Sequence, residues 1–422
     1  MLLKNVRFAA TPKGILENVN IEIEGPTISK ISKTVPVGSK TGNVIDCSRL
    51  LAVPSFVNAH THVPMTFLRG YGEGLTLNEW LTTRVWPAEA KLKPKDVHAF
   101  TKMGIIEMIR SGTTAFNDMY FFMDEVARAC AESGVRGFLS HGIISLKDKT
   151  KDLKETERFI REWKSKNELV TPFVGPHAIY TCDEETLLRS KELAEKYKTK
   201  LHIHLSETRK EVYDCWRAHG MRPVEYLDKI GFLGTNVIAA HCGWLTKNEI
   251  KILGERRVNV VHCPVSNMKL ATGGEMPLPE LLATRANVAL GTDGASSNNS
   301  LSMFGEMKMA ALLHKHARWD PTVAGVDEVL KMATMNGAHA LGLDAGILEE
   351  GKLADITLID LDSTLVQPVV RDRLLAHLVY AADSSCISTV VCNGKILMQD
   401  KIMRVDEENV REAFVKAFAK FS

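Results

Sequence analysis

The chain has 422 residues, 45% of them apolar and 25% charged, ordinary values for a globular protein, so disorder, collagen-like repeats and a small disulfide scaffold are excluded. A net charge of +2 provides no field that would draw it to nucleic acid or to a membrane surface, and a small-molecule partner is expected. The length accommodates one α/β barrel of about 250 residues plus a smaller unit.

The first fifty residues form short alternating runs, Leu2–Ala9, Val19–Ile23 and Ile28–Ile31, separated by turn formers such as Pro12-Lys13-Gly14 and Gly25-Pro26. No positively charged, apolar leader opens the chain and no apolar run approaches about 18 residues, so neither a signal peptide nor a membrane span is expected. From Leu51 onward, apolar strings alternate with longer amphipathic stretches such as Lys95–Arg110, Glu184–Lys196 and Lys247–Glu255. Such alternation predicts parallel strands joined by helical crossovers. Eight candidate strands follow: Leu51–Asn58, Gly112–Asp118, Val135–His141, Val170–Pro176, Leu201–Leu205, Val237–His241, Val258–His262 and Val288–Thr292. The helix beginning at Met303 (Met303–Leu313) is read as core. After Gly342 short strands return at Ala354–Ile359, Cys386–Cys392 and Ile396–Met398, with Asn393-Gly394 as a hairpin turn. The expected fold is α/β, a (β/α)8 TIM barrel over residues 53–344, with a small β-sandwich domain formed by residues 1–52 and 345–422 and a C-terminal helix. An open doubly wound sheet is the alternative, but no glycine-rich phosphate fingerprint follows the first strand. The eight cysteines lack paired short spacings and read as reduced thiols, which points to the cytoplasm.

Of the 14 histidines, several fall at the ends of the predicted strands. His60-Thr61-His62 follows the first, His204 ends the fifth, His241 ends the sixth and Asp293 follows the eighth. The carboxyl ends of all barrel strands converge on one face, so these residues are expected to become neighbours. Histidines at i and i+2 of an extended segment point to the same side. His60, His62, His204 and Asp293 together offer three imidazoles and a carboxylate, a set suited to one divalent metal, Zn2+ first and Fe2+ as the alternative. Such an ion acidifies water near neutral pH. His202 is read as core.

Acid and base candidates accompany the ligands. Glu207 lies three residues past His204, in position either to reach a bound substrate or to serve only as a helix-start acid. Asp293 can accept a proton as well as touch the metal, and His241 can hydrogen-bond an attacking water.

With the segments Val53–Arg69, Gly175–Tyr180, His202–Thr208, Ala239–Cys242, Val261–Leu270, Gly291–Ser300 and Ile347–Asp360, the sequence resembles the amidohydrolase superfamily in its cytosine-deaminase-like branch. Within it the chain is most similar to the methylthioadenosine/S-adenosylhomocysteine deaminases and their relatives acting on 5'-deoxyadenosine. The fourth strand ends in Gly175-Pro176-His177 without the lysine that bridges two metals in other members, which implies a single metal per subunit. The resemblance implies that Glu89 binds the ribose hydroxyls, that Trp80 belongs to the same segment, and that His177 binds substrate. From position alone Glu89 reads as a solvated helix-start acid and Trp80 as a packing aromatic. Ser297 is a further contact candidate or a simple turn residue.

The implied activity is hydrolytic deamination of adenine nucleosides (5'-deoxyadenosine, 5'-methylthioadenosine, S-adenosylhomocysteine, adenosine), with Glu207 and Asp293 contacting substrate. Members that favour S-adenosylhomocysteine use arginines after the third strand to hold its carboxylate, whereas this chain has His141 and a lysine-rich stretch, Lys147 to Lys151, there. Neither offers a bidentate guanidinium. Arg136 precedes that strand and is expected at the opposite barrel end. Guanine or cytosine deamination and s-triazine hydrolysis are the alternatives, since the same metal shell serves them. A non-catalytic scaffold is a further class, against which stand the intact ligands, Glu207 and His241. The resemblance also implies a homo-oligomer, dimer or tetramer.

Overall fold

The alternating runs at the chain's start form an antiparallel ladder: Leu2–Thr11 pairs with Gly14–Glu24, which pairs with Thr27–Ser32. The computed structural model describes residues 1–34 and 42–421, the side chains of residues 146 and 147 excepted. The ladder is continued by strands from the other end of the chain, Ile356–Asp360, Ile387–Cys392, Lys395–Gln399 and Ile402–Met403, in one mixed nine-stranded sheet. Leu3, Ile21, Ile28, Ile356, Leu358 and Val391 share one buried cluster, so the two chain ends are joined by a common core.

A second sheet holds eight parallel strands in sequence order: β1 (Phe56–Thr61), β2 (Thr113–Tyr120), β3 (Arg136–Ile143), β4 (Val170–Pro176), β5 (Leu201–Leu205), β6 (Val237–His241), β7 (Asn259–His262) and β8 (Asn287–Leu290). Helices connect them, as parallel neighbours require. The strands are buried along almost their whole length, so apolar continuity rather than alternation marks them in the sequence. β8 returns to β1 through Asp293 N–H donating to His60 O (3.0 Å) and Thr292 N–H donating to Asn58 Oδ1 (3.0 Å), which nearly closes the barrel. At this seam a Cβ on Gly291 would lie 2.8 Å from the His60 backbone, so only glycine permits the approach.

One expected element is corrected. The apolar string Leu51–Asn58 is two strands: Leu50–Pro54 belongs to the terminal sheet, antiparallel to Ile356–Asp360, and only from Phe56 does the chain enter the barrel. Both halves are buried, so hydropathy alone shows no break. The break follows Pro54, which lacks an N–H, and Ser55, whose N–H donates to Asp355 O and whose hydroxyl pairs with that of Thr357.

The two units are tied at the amino ends of the barrel strands. Buried Arg136, at the start of β3, donates through Nε to Asp355 Oδ2 (2.8 Å) and through a terminal nitrogen to Asn393 Oδ1 (2.7 Å). The helix Met303–Arg318 buries Met303, Phe304, Met307, Ala310 and Ala311, as the core reading expects. The C-terminal helix Glu407–Phe418 lays Phe414 against Phe100 of the helix Pro94–Arg110 (ring centroids 5.2 Å apart). No helix among the described residues is long and apolar enough to cross a membrane, and the eight cysteines are buried free thiols.

Candidate metal and active site

The strand-end residues do converge. His60 and His62 leave β1, His204 lies on β5 and Asp293 follows β8. Asp293 Oδ1 lies 3.3 Å from His62 Nε2 and 3.5 Å from His60 Nε2, and His204 Nε2 lies 3.2 Å from His62 Nε2. His241, at the end of β6, brings a ring nitrogen into the same cluster with His60 and His204. The strands end in strained backbone: Ser206, His241, Cys242 and Asp293 all have φ between 49° and 74°. Non-glycine residues hold that region at a cost, and it concentrates at functional sites.

The donor atoms are those a cation needs. His62 Nδ1 donates to Met119 O (2.6 Å) and His204 Nδ1 donates to His177 O (2.7 Å). A carbonyl only accepts, so these bonds put an N–H on Nδ1 of each ring and leave Nε2 as the atom that can bind a cation. The two Nε2 atoms face each other at 3.2 Å beside the Asp293 carboxylate, a spacing that one cation between them would satisfy. His60 Nε2 is buried and makes no hydrogen bond among the described residues. Burial lowers the His60 imidazole to about 4 and holds His204 well below its usual range, so both are unprotonated near neutral pH. The residues present therefore fit one divalent metal of borderline softness. β4 ends without a lysine and supplies no second-metal bridge.

Asp293 is buried, yet its carboxyl stays well below the ordinary range because His60, His62 and His241 outweigh its desolvation. Its Oδ2 accepts from the Ser266 (2.6 Å) and Ser297 (3.0 Å) hydroxyls, and Oδ1 accepts from Gly294 N–H (2.8 Å). Glu207 is its opposite. Burial, and then the charge of Asp293, push its carboxyl up to about 8. Two carboxyls in one cavity are thus driven apart, one to ionise and one to keep its proton. Glu207 lies 3.9 Å from His241 Nε2, while Asn267 Nδ2 lies 3.2 Å from His241 Nδ1.

A cavity opens over these groups, and the segment Leu77–Glu89 forms part of its wall. A π-helical turn, Leu81–Val85, interrupts this helical segment, and both Trp80 and Glu89 line the cavity. Glu89 is half-buried rather than a solvated surface acid. Tyr120, at the end of β2, shares the cavity, and its burial followed by the charge of Glu89 keeps the phenol neutral. His177 also lines it, its Nδ1 2.9 Å from the Thr181 hydroxyl. Ser297 lines the cavity as well and is more than a turn residue, since it holds Asp293.

Two of the groups weighed as carboxylate holders, His141 and Lys149, are engaged elsewhere. His141 faces Asp152 (3.3 Å), and Lys149 pairs with Asp183 (2.9 Å) and Glu185 (2.6 Å). The side chain of Lys147 lies outside the described residues. Among the described residues no arginine or lysine lines the cavity.

Sequence reasoning missed the outer layer. His202, read as core, is fully buried but places Nε2 2.7 Å from His60 Nδ1 and so orients that ring, while Ser140 lies behind it at 3.3 Å. Its i, i+2 relation to His204 is a visible signal. Ser266 and Asn267 lie in the matching segment Val261–Leu270 but were given no role, and the Met119 and His177 carbonyls are backbone atoms.

The profile of the Amidohydrolase family matches residues 51–397. The chain is 46% identical over 399 residues to a 5'-deoxyadenosine deaminase of Methanothrix thermoacetophila, covering 94% of each chain. It is 42% identical over 422 residues to 5-methylthioadenosine/S-adenosylhomocysteine deaminase 1 of Archaeoglobus fulgidus, covering 97% of this chain and 96% of the relative. Among solved structures, an adenosine deaminase from Xanthomonas campestris with bound zinc superposes with a TM-score of 0.94 at 32% identity, covering 99% of this chain and 98% of the other.

Proposed function

The chain belongs to the amidohydrolase family, and from that premise we propose that it deaminates adenine nucleosides, with preference for those whose 5'-substituent is small and uncharged. The observation that carries this reading is one cavity lined by the ligand cluster, by a neutral glutamic acid and by Glu89, with no cationic side chain described in its wall. His60, His62, His204 and Asp293 would hold one divalent metal, zinc before iron(II). When bound, that ion acts as a Lewis acid and makes water a nucleophile near neutral pH.

The chain's own residues do the rest. Asp293 accepts the proton of the attacking water, and His241 hydrogen-bonds the oxygen that approaches C6 of the adenine ring. Glu207, protonated through its burial, gives its proton to N1, which makes C6 more electrophilic. The C6–O bond forms, a proton passes from Asp293 to the exocyclic amine, the C6–N bond breaks to release ammonia, and the new hydroxyl returns its proton to Glu207 as it becomes the C6 carbonyl of an inosine-type product. Glu89 accepts the ribose hydroxyls, contacts that a free base cannot make. His177 contacts the ring side of the substrate, and Trp80 packs beside it.

A bound S-adenosylhomocysteine would have to leave its amino-acid carboxylate in a cavity without a described cation, whereas 5'-deoxyadenosine and 5'-methylthioadenosine carry no such group. The 42–46% identical relatives are named for nucleosides rather than for free bases or triazines, which supports the nucleoside reading over those alternatives. The test is ammonia release from 5'-deoxyadenosine, 5'-methylthioadenosine, adenosine, S-adenosylhomocysteine, guanine and cytosine, with metal analysis of the same preparation. Turnover of the first two above the rest, with one metal per chain, is expected. No ammonia from any adenine nucleoside with the metal bound would refute the proposal.

A further inference from the structure

Glu211 is a buried acid that the mechanism leaves unused. It is 3% exposed, it occupies the third position of the helix Arg209–His219, and no lysine or arginine pairs with it among the described residues. Its own N–H donates to the Thr208 hydroxyl that caps the helix (3.1 Å). Its carboxylate, however, does not return to the Thr208 amide as a capping box would require. It reaches past the cap, accepting from Ser206 N–H at Oε1 and from Glu207 N–H at Oε2, both at 2.8 Å.

The chain carries its own control. Glu249 holds the same third position in the helix Lys247–Glu255, and there the carboxylate does close on the cap, accepting from Thr246 N–H (2.9 Å), with Arg222 beside it (2.7 Å). Glu249 stabilises a helix end and is neutralised. Glu211 does neither, and what it holds is a turn in which Ser206 has φ 51°, a conformation that costs free energy unless neighbours enforce it. Burial without a cation pushes its carboxyl up to about 7, although both amides pull it down. A helix start needs no such expense, because Thr208 already caps it.

We propose that Glu211 is a positioning residue for Glu207: its two oxygens grip the Ser206 and Glu207 amides and fix the turn from which the acid reaches the substrate ring. This inference rests on the reading of Glu207 as the proton donor. Both oxygens must accept, so the carboxylate is required. Glutamine offers one acceptor and turns an N–H toward the other amide.

The test compares wild type, Glu211→Gln, Glu211→Ala and Glu207→Gln as full-length zinc-loaded proteins. Turnover of 5'-deoxyadenosine, metal content, melting temperature and hydrogen exchange of the Ser206 and Glu207 amides are measured. For Glu211→Gln we expect kcat to fall about 10- to 100-fold with KM nearly unchanged, as misplacement of a reacting group by about 1 Å does. Metal content and melting temperature should stay near wild type while the two amides exchange faster, and Glu211→Ala should exceed Glu211→Gln in both effects. Wild-type kcat in Glu211→Gln overturns the inference, as does a loss of kcat that tracks loss of metal or of melting temperature. Full activity in Glu207→Gln overturns it too. If the wild-type protein deaminates no adenine nucleoside, the proposed function fails separately, and exchange decides the clamp: unchanged protection of the two amides overturns it, and lost protection sustains it.

Discussion

Replacing Glu207 by glutamine keeps the shape of the side chain and removes its acidic proton. The magnitude follows from its surroundings. A glutamic acid at its usual value of 4.5 is protonated only about 0.3% of the time at pH 7, and burial, which raises Glu207 to about 8, increases the share that carries the proton. General acid catalysis contributes about 10²- to 10⁴-fold, so kcat of Glu207→Gln is expected to fall by that factor. KM should change little, because the glutamine amide still donates a hydrogen bond to N1. The sign of the pH effect is fixed: the acid acts only when protonated, so wild-type kcat should be flat below its folded-state value and decline as pH rises through it. A divalent cation held by the neighbouring ligands lowers that value, which puts the decline at or below about pH 8. Ammonia release from saturating 5'-deoxyadenosine between pH 5.5 and 9 tests both points, with metal content measured at each end. Near wild-type turnover in Glu207→Gln, or the same alkaline decline in the variant as in wild type, would refute the assignment.

Glu89→Ala should raise KM for 5'-deoxyadenosine while leaving the weak turnover of free adenine unchanged; steady-state kinetics on both substrates decides, and equal losses would remove its role as a ribose clamp. His202→Ala should weaken metal binding about 10- to 100-fold, since it frees the His60 ring, which chelator competition measures without recourse to activity. Arg136→Ala leaves Asp355 buried without its cation and should cost about 3–5 kcal/mol in denaturant unfolding. Arg136→Ala with Asp355→Ala should recover part of that loss.

The legible part of this protein is the part written in side chains of one chemical kind at strand ends. β4, β5 and β6 fall where the apolar strings put them, because strands buried on both faces leave unbroken apolar runs. Their polar terminal residues are then conspicuous, and His60, His62, His204, His241, Glu207 and Asp293 stand out for that reason. Leu51–Asn58 misled by the same logic: a buried string does not say which of two sheets buries it. The outer layer was hidden because much of it is backbone. The Met119 and His177 carbonyls choose the tautomers of His62 and His204, and any residue at those positions supplies the same oxygen.

The backbone also explains why the acid lies on a turn after β5 rather than within a strand. Within β5 the positions that face the barrel interior are taken by His202 and His204, which serve the ligand cluster. Leaving the sheet after Leu205 frees Glu207 to face the cavity, but it gives up the ladder that would hold its backbone. The amides of Ser206 and Glu207 must then find acceptors elsewhere, since buried N–H groups left unpaired cost free energy. Glu211 supplies both in one side chain. The loop after β6, which begins at His241, adds two ties: Cys242 N–H donates to Leu205 O (2.9 Å) and Trp244 N–H donates to Ser206 O (3.0 Å). Acid and histidine are therefore set by adjoining turns that hydrogen-bond each other, so a shift in one moves the other. Under the proposed roles of Glu207 and His241, this arrangement fixes the distance between proton donor and attacking oxygen and spends local strain at Ser206 and His241 on alignment in the site.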